Sequence, residues 1–463
     1  MKAIFALLCI FNLSFAFAEP PKVVVVGAGL AGLTTAYRLQ QVGYDVEVFE
    51  ARGRVGGRVF TVQVGGRPAE LGGQNLLDGG KAENILSLIE ELGLETVLQQ
   101  EELHVHYLDG DTIVDASERL QKVYGYTAES LRTRLEQIRL ASNNMQDMLE
   151  TLFQEDKILY ETIKVYLEAY EGQPIEKLSL AYMETLFHML MGGLSSAHPN
   201  AGGEKVYIDH LVIKGGNSLL TEALGAKLTS RIHLNAPLTS LTKGRRFFLT
   251  FGNGEAVEAD SVILAIPCST FEDIQFDPEV LPSAKLAKIC SIPYGKNSKI
   301  MMPSTSQQKY VGSITNGRTI AFSPGDLKIR TLYYVNEYSR FTADTIEKVF
   351  SIDRPMIEKA FGFSPKRATV ASEVPFANYD CPVGHSWPND PYVKGSYSSL
   401  IPGQEEIYTA LTEYRGEKVK ELFAPHEGLF FVGEHASLLL EFGGTMEAAV
   451  ESAERTVRLL KAR

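Results

Sequence analysis

Residues 22–50 read KVVVVGAGLAGLTTAYRLQQVGYDVEVFE, an apolar run, a glycine turn, a helical stretch and a second apolar run. The four valines at 23–26 predict a fully apolar strand, GAGLAG at 27–32 predicts the turn into a helix, and YDVEVFE at 44–50 predicts a second strand. The order is that of a β-α-β unit. Context gives the glycines their meaning, because they follow a strand directly and open a helix. Gly27 permits the tight turn, Gly29 lets backbone N–H groups approach a pyrophosphate at the positive helix end, and Gly32 permits close helix–strand packing. Leu30 and Ala31, between these glycines, share the dinucleotide assignment. Glu50 ends the second strand, where a carboxylate about 20 residues on holds both ribose hydroxyls.

The next residues separate one dinucleotide from another. EARGRVGGRVFTVQVGGRPAELGGQN at 50–75 resembles the N-terminal signature of the flavin amine oxidases, through Glu50, Arg52, the triplet Gly56, Gly57 and Arg58, and ELGG at 70–73. The resemblance implies FAD rather than NAD, with Ala51, Arg52, Gly57, Arg58, Leu71, Gly72, Gly73 and Gln74 along it. Paired glycines let the backbone pass close to the dinucleotide, and Arg58 offers a planar fork near phosphate or flavin oxygens.

GLFFVGEHASLLLEFGGTMEAAVESAERTVRLL at 428–460 resembles the C-terminal flavin segment of the same family. The match implies that Gly433 and Glu434 lie beside the pyrophosphate and ribityl chain. It implies that Thr445 and Met446 open a helix under the flavin ring, where a helix N-terminus stabilises negative charge. Leu238 matches the adenine-contacting position. The expected fold is α/β: a Rossmann-like FAD-binding domain interleaved with a discontinuous α+β substrate-binding domain. The FAD-binding domain is expected at 19–78, 204–290 and 392–463, and the substrate domain with a helical insert at 79–203 and 291–391.

IPYGKNSKIMM at 292–302 resembles the segment whose lysine reaches the flavin through a water; Lys299 is the match and Lys296 the nearby competitor. HSWPNDPYVKGSYSSLIPGQ at 385–404 resembles the polyamine oxidase and histone demethylase branch, in which Trp387 and Tyr397 would wall the flavin. Aromatic faces suit an amine, since they are apolar yet attract a cation. The catalytic candidates are therefore Lys299, Trp387, Tyr397 and Thr445. Ser396 stands where monoamine oxidases carry the cysteine bonded to flavin, which implies noncovalent FAD; Thr445 replaces a second aromatic wall. LGGQN at 71–75 lacks the arginine with which L-amino-acid oxidases hold a carboxylate, and Gln74 and Asn75 are candidates for the same site.

The expected reaction is oxidation of a small-molecule amine to an imine, hydrolysed to an aldehyde, with molecular oxygen reduced to hydrogen peroxide. An L-amino-acid oxidase, an amine dehydrogenase using another acceptor, and a catalytically silent flavin-bound scaffold are the alternatives.

Composition narrows the classes. A formal net charge of −12 argues against a nucleic-acid partner, which calls for clustered Lys and Arg. MKAIFALLCIFNLSFAFA at 1–18 has Lys2, an apolar run and a small-x-small end at Ala16 and Ala18, a pattern that predicts a signal peptide and a secreted or periplasmic chain starting near Glu19. Its core is too short for a stable membrane span. Once Cys9 leaves with it, Cys268, Cys290 and Cys381 form no disulfide framework, and no metal-ligand spacing occurs. Residues 81–191 read as helical, and strands are expected at 231–234, 247–251 and 261–266, with GNGE at 252–255 as a hairpin turn.

Overall fold

The computed structural model describes residues 20–76, 82–99, 104–192, 198–199, 205–206, 210–228, 231–305, 312–323, 328–439 and 443–462. The leader expected at 1–18 lies outside the described residues.

The valine strand Lys22–Val26 is the centre of a five-stranded parallel sheet, ordered Ile232–His233, Asp45–Phe49, Lys22–Val26, Ser261–Leu264 and Leu429–Phe431. Its side chains alternate between two cores, as period-2 geometry requires. Val23 and Val25 pack with Leu33, Ala36 and Leu39 of the helix Leu30–Gln41 and with the helix Met446–Lys461. Val24 and Val26 pack with Phe247 and Leu249 of a second, four-stranded sheet. A strand buried on both faces has no use for polar residues, which is why the run is unbroken. The hairpin Phe247–Phe251 to Ala256–Ala259 forms around GNGE, with Gly254 at φ +90°.

An eight-stranded mixed sheet makes the other half. It runs Thr369–Val370, Val383–Ser386, Asn297–Pro303, Ile329–Val335, Thr319–Phe322, Ser313–Thr315, Val105–Asp109 and Thr112–Asp115. The helix Lys157–Glu171 lies against it, with Leu159 and Ile163 in one core with Val105, Ile320 and Val335.

The helical expectation for 81–191 needs one correction. Strands occur at Thr96–Gln99, Val105–Asp109 and Thr112–Asp115, the last two a hairpin turned at Gly110 with φ +54°. Pairing of Val105 with Ser313 completes the sheet edge, a long-range contact that helical periodicity cannot register. The apolar stretch at 131–153 is also two helices, Ala128–Arg139 and Met145–Phe153, because the Asn144 side chain accepts from Asp147 N at 3.1 Å and starts a new helix. Among the described residues no helix is long and apolar enough to cross a membrane.

Candidate active site

A single cavity of about 1180 Å³ runs from the glycine turn at 27–32 to the second sheet. It brings together residues more than 400 positions apart, from Gly27 to Met446. At its first end the helix Leu30–Gln41 begins at Gly29 with no side-chain cap, so its leading amides stay available to an anion. A Cβ on Gly29 would meet nothing within 4 Å and would project into open space, whereas one on Gly32 would lie 2.0 Å from the Gly27 carbonyl oxygen. Gly29, Leu30 and Ala31 line the cavity while Gly32 stands outside it as a packing residue.

Glu50 reaches this end from the second strand. Ala28 N donates to one of its oxygens at 2.7 Å and Arg52 N to the other at 2.9 Å. Burial raises its carboxyl above the ordinary value, with the two amides opposing that rise. The amides fix both oxygens at the wall. Ala51, Gly57, Leu71, Gly72, Gly73, Gln74 and Leu238 line the same cavity, as do Gly433, Glu434 and Met446.

Arg58 is more committed than expected. Its Nη1 donates to Glu434 Oε1 and to the Ser396 carbonyl, both at 2.8 Å, so only the rest of the fork faces the cavity. Glu434 accepts further from Ser398 N at 3.2 Å and Ser398 Oγ at 2.5 Å. Burial alone would raise its carboxyl; the Arg58 guanidinium beside it brings it below the usual range.

Arg52 serves structure as well as lining. Its guanidinium donates to Asp390 and, at 3.1 Å, to Glu373. Asp390 in turn meets His385 Nε2 at 2.9 Å, and the His385 ring packs edge-on to Trp387 with centroids 4.3 Å apart. Trp387 Nε1 donates to the Leu71 carbonyl at 2.9 Å, which sets the plane of the indole at the wall. Glu373, His385 and Asp390 are close enough together to ligate a cation, but Arg52 already supplies the positive charge there.

Lys299, on the strand Asn297–Pro303, is buried and lines the cavity. Its ammonium donates to the carbonyls of Glu70 at 3.1 Å and Gly72 at 2.9 Å and to Gln74 Oε1 at 3.0 Å. These contacts hold the ammonium against the 70–74 segment of the cavity wall. The neighbouring Glu70 carboxyl is raised to about 7 by burial, against donation from Asn217 N and Thr61 Oγ1.

Tyr397 stands at the far end. Its hydroxyl accepts from Asn297 Nδ2 at 2.6 Å and faces the carbonyls of Ala169 and Tyr170, each at 2.8 Å. Those carbonyls belong to the last turn of the helix Lys157–Glu171, where backbone acceptors lack partners within the helix. The tyrosine thus docks the helical insert onto the cavity. Thr445 caps the helix Met446–Lys461, accepting from Ala448 N at 3.1 Å, and lines the cavity.

The profile of the "flavin containing amine oxidoreductase" family matches residues 30–461, nearly the whole chain. The chain belongs to that family. Among curated relatives, rice (Oryza sativa subsp. japonica) polyamine oxidase 4 is 26% identical over 94% of this chain and 87% of its own length. Lysine-specific histone demethylase 1 homolog 1 of Arabidopsis thaliana is 25% identical over 96% of this chain, which spans only 52% of that protein. Among solved structures, a putrescine oxidase redesigned in its cofactor binding superposes with a TM-score of 0.72 at 20% identity, covering 96% of this chain and 99% of the other. Cyclohexylamine oxidase from Brevibacterium oxydans gives 0.71 at 19% identity, covering 95% and 98%.

As in other flavin containing amine oxidoreductases, the cofactor must be large and anionic in its middle. The uncapped helix start, the side-chain void at Gly29 and the two-oxygen wall of Glu50 fit the pyrophosphate and ribose of FAD. The buried Ser396 hydroxyl has no hydrogen-bond partner among the described residues and carries no thiol for a covalent link. In this flavin containing amine oxidoreductase the sequence also hid several wall residues: Glu171, Tyr182, Thr185, Asn297 and Tyr333. The first three belong to the helical insert, which carries no motif; only its amphipathic period was readable.

Proposed function

We propose that the protein oxidises the carbon–nitrogen bond of an amine lacking a carboxylate beside the reacting carbon. The observation that carries this is the charge of the cavity wall. Its only arginines among the described residues are Arg52, bound to Glu373 and Asp390, and Arg58, bound to Glu434. Each is already paired with a carboxylate of the protein, which weighs against an amino-acid oxidase. The activities named for the polyamine, putrescine and cyclohexylamine oxidases support the same substrate class.

A flavin held here supplies the two-electron acceptor, and molecular oxygen then takes the electrons to give hydrogen peroxide. The chain's own residues orient and enclose. Trp387, fixed by Leu71 and His385, and Tyr397, fixed by Asn297, present aromatic faces to the guest. Lys299 holds the 70–74 loop at the cavity wall. The helix beginning at Met446 directs its positive end at the same region. The released imine hydrolyses to an aldehyde in water.

The interleaved domain division and the leader belong to this reading: export of a chain beginning near Glu19 would place the reaction outside the cytoplasm. The test is anaerobic mixing of the yellow protein with benzylamine, butylamine, 1,4-diaminobutane and amino acids. Bleaching by amines, with peroxide formed on admitting air, is the expected result. Bleaching by amino acids alone, or by nothing, would remove the proposal.

A further inference from the structure

Five consecutive carbonyls of the cavity wall, from Glu70 to Gln74, each accept from a side chain. Lys299 Nζ donates to Glu70 at 3.1 Å and to Gly72 at 2.9 Å, and Trp387 Nε1 donates to Leu71 at 2.9 Å. The last two carbonyls belong to a residue that no motif singles out. Asn217 Nδ2 donates to Gly73 at 3.1 Å and to Gln74 at 2.6 Å. Lys299 and Trp387 line the cavity, whereas Asn217, 1% exposed, stands behind the wall.

Asn217 occupies the N-cap of the helix Ser218–Lys227, where an asparagine oxygen ordinarily accepts from the first-turn amides. Among the described residues its side chain makes no such bond. Its Oδ1 accepts instead from Ile213 N at 3.0 Å, which leaves Nδ2 as the atom turned to the wall. The helix start is served by other oxygens: Glu70 Oε1 accepts from Asn217 N at 2.8 Å, and Thr61 Oγ1 from Ser218 N at 2.9 Å. One residue therefore grips the segment at both ends, by its backbone at Glu70 and by its side chain at Gly73 and Gln74. Between them lie two glycines that need the backbone held in place. A Cβ on Gly72 would lie 1.9 Å from the Arg58 carbonyl oxygen, and one on Gly73 would lie 3.1 Å from the Met446 side chain. Gln74 is the link to the chemistry, since its Oε1 is the third acceptor of Lys299.

We propose that Asn217 is a positioning residue for the oxidation: it fixes the backbone at 73–74 so that Gln74 holds the Lys299 ammonium at one point of the cavity wall. The proposal rests on the amine-oxidation reading and deepens it. The position calls for two donors and one acceptor on a short stem, a set that neither aspartate nor serine offers.

The test uses the holoenzyme as wild type, Asn217→Ala and Asn217→Ser, each variant also combined with Lys299→Met. Asn217→Ser keeps one hydroxyl donor and is the milder change. Two readouts are taken on the flavin-bound fraction: the limiting rate of anaerobic bleaching at saturating amine, and the midpoint potential of the flavin in a dithionite titration, which needs no amine. Asn217→Ala is expected to slow the limiting rate by about 3- to 10-fold, the scale of one loosened hydrogen bond, with the half-saturating amine concentration changed by less than about twofold. The potential is expected to fall, because an ammonium held at the wall favours the electron-rich reduced flavin. Asn217→Ser should lie between Asn217→Ala and the wild type in both readouts. In the Lys299→Met background neither readout should move further, since the ammonium that Asn217 positions is gone. A lower melting temperature with limiting rate and potential unchanged, or the same factor in both backgrounds, would make Asn217 purely structural and overturn the proposal. If no amine bleaches the flavin, the oxidase reading fails while the potentials still decide the role of Asn217.

Discussion

The Lys299 ammonium donates to Gln74 Oε1 at 3.0 Å, completing a three-point clasp with the carbonyls of Glu70 and Gly72. Lys299→Met keeps the stem and removes all donors, leaving two carbonyls and an amide oxygen unpaired at a buried wall. The expected outcome is a lower flavin-to-protein ratio and anaerobic bleaching slowed by roughly 10- to 100-fold, a few kcal/mol in the barrier. Gln74→Ala removes one acceptor and should cost less than tenfold with flavin retained. Stopped-flow absorbance checks both, and wild-type bleaching in Lys299→Met would remove Lys299 from the working site.

Two glycines of one motif should fail in different ways. Gly29 has φ −73° and ψ 178°, open to any residue, and a side chain there would enter empty space. Gly29→Val should therefore fold, keep its far-UV circular dichroism and melt cooperatively, yet purify without flavin. A Cβ on Gly32 would sit 2.0 Å from the Gly27 carbonyl oxygen, so Gly32→Val should lose the fold itself. Recovery of yellow Gly29→Val protein would mean that the cofactor does not pass beside this turn.

The contrast between those glycines marks what the sequence made legible. Residues 27–32 act through local geometry, so the spacing alone separates the glycine that opens onto the cavity from the one that packs against the chain. Glu50 was equally readable, because strand length places it beside the turn. Strand Val105–Asp109 was not, since its reason to be a strand is Ser313, two hundred residues away. Glu171 was hidden for the same reason: nothing near it in sequence distinguishes it from a solvent-facing helix residue. Its exposure to the chamber follows from docking of the helix end on Asn297 and Tyr397. Arg58 shows the intermediate case, a correctly located side chain whose partner, Glu434, lies 376 residues on.

Trp387, the sole tryptophan of the chain, lines the cavity with its Nε1 donating to Leu71. A flavin against this wall accepts the excitation energy of the indole. Acid precipitation should leave all the yellow colour in the supernatant, since Ser396 offers no thiol. Gentle removal of flavin at high salt should raise tryptophan emission several-fold, and adding FAD back should quench it again. A yellow pellet would mean a covalent bond, and emission indifferent to flavin would place Trp387 away from the ring.

Burial raises the Glu171 carboxyl to about 7, a rise that donation from Thr185 only partly offsets. The groups facing it are the Thr185 hydroxyl and the phenols of Tyr182 and Tyr397, both held above the ordinary tyrosine value and so uncharged here. In the unfolded chain the same carboxyl loses its proton near 4.5. Between these values the folded state binds more protons, so this group's contribution to stability is intact below about pH 4.5 and is lost as pH rises through 7. Glutamine carries no such dependence. Without amine, Glu171→Gln should therefore melt at or below the wild-type temperature at pH 5 and above it at pH 8, by on the order of 2 °C for a chain of this size. Glu70 and Glu168, raised in the same way, remain in both proteins and cancel in the difference. Scanning calorimetry over this pH range checks the sign, and a difference in melting temperature that stays constant from pH 5 to 8 would show that Glu171 keeps one charge state throughout.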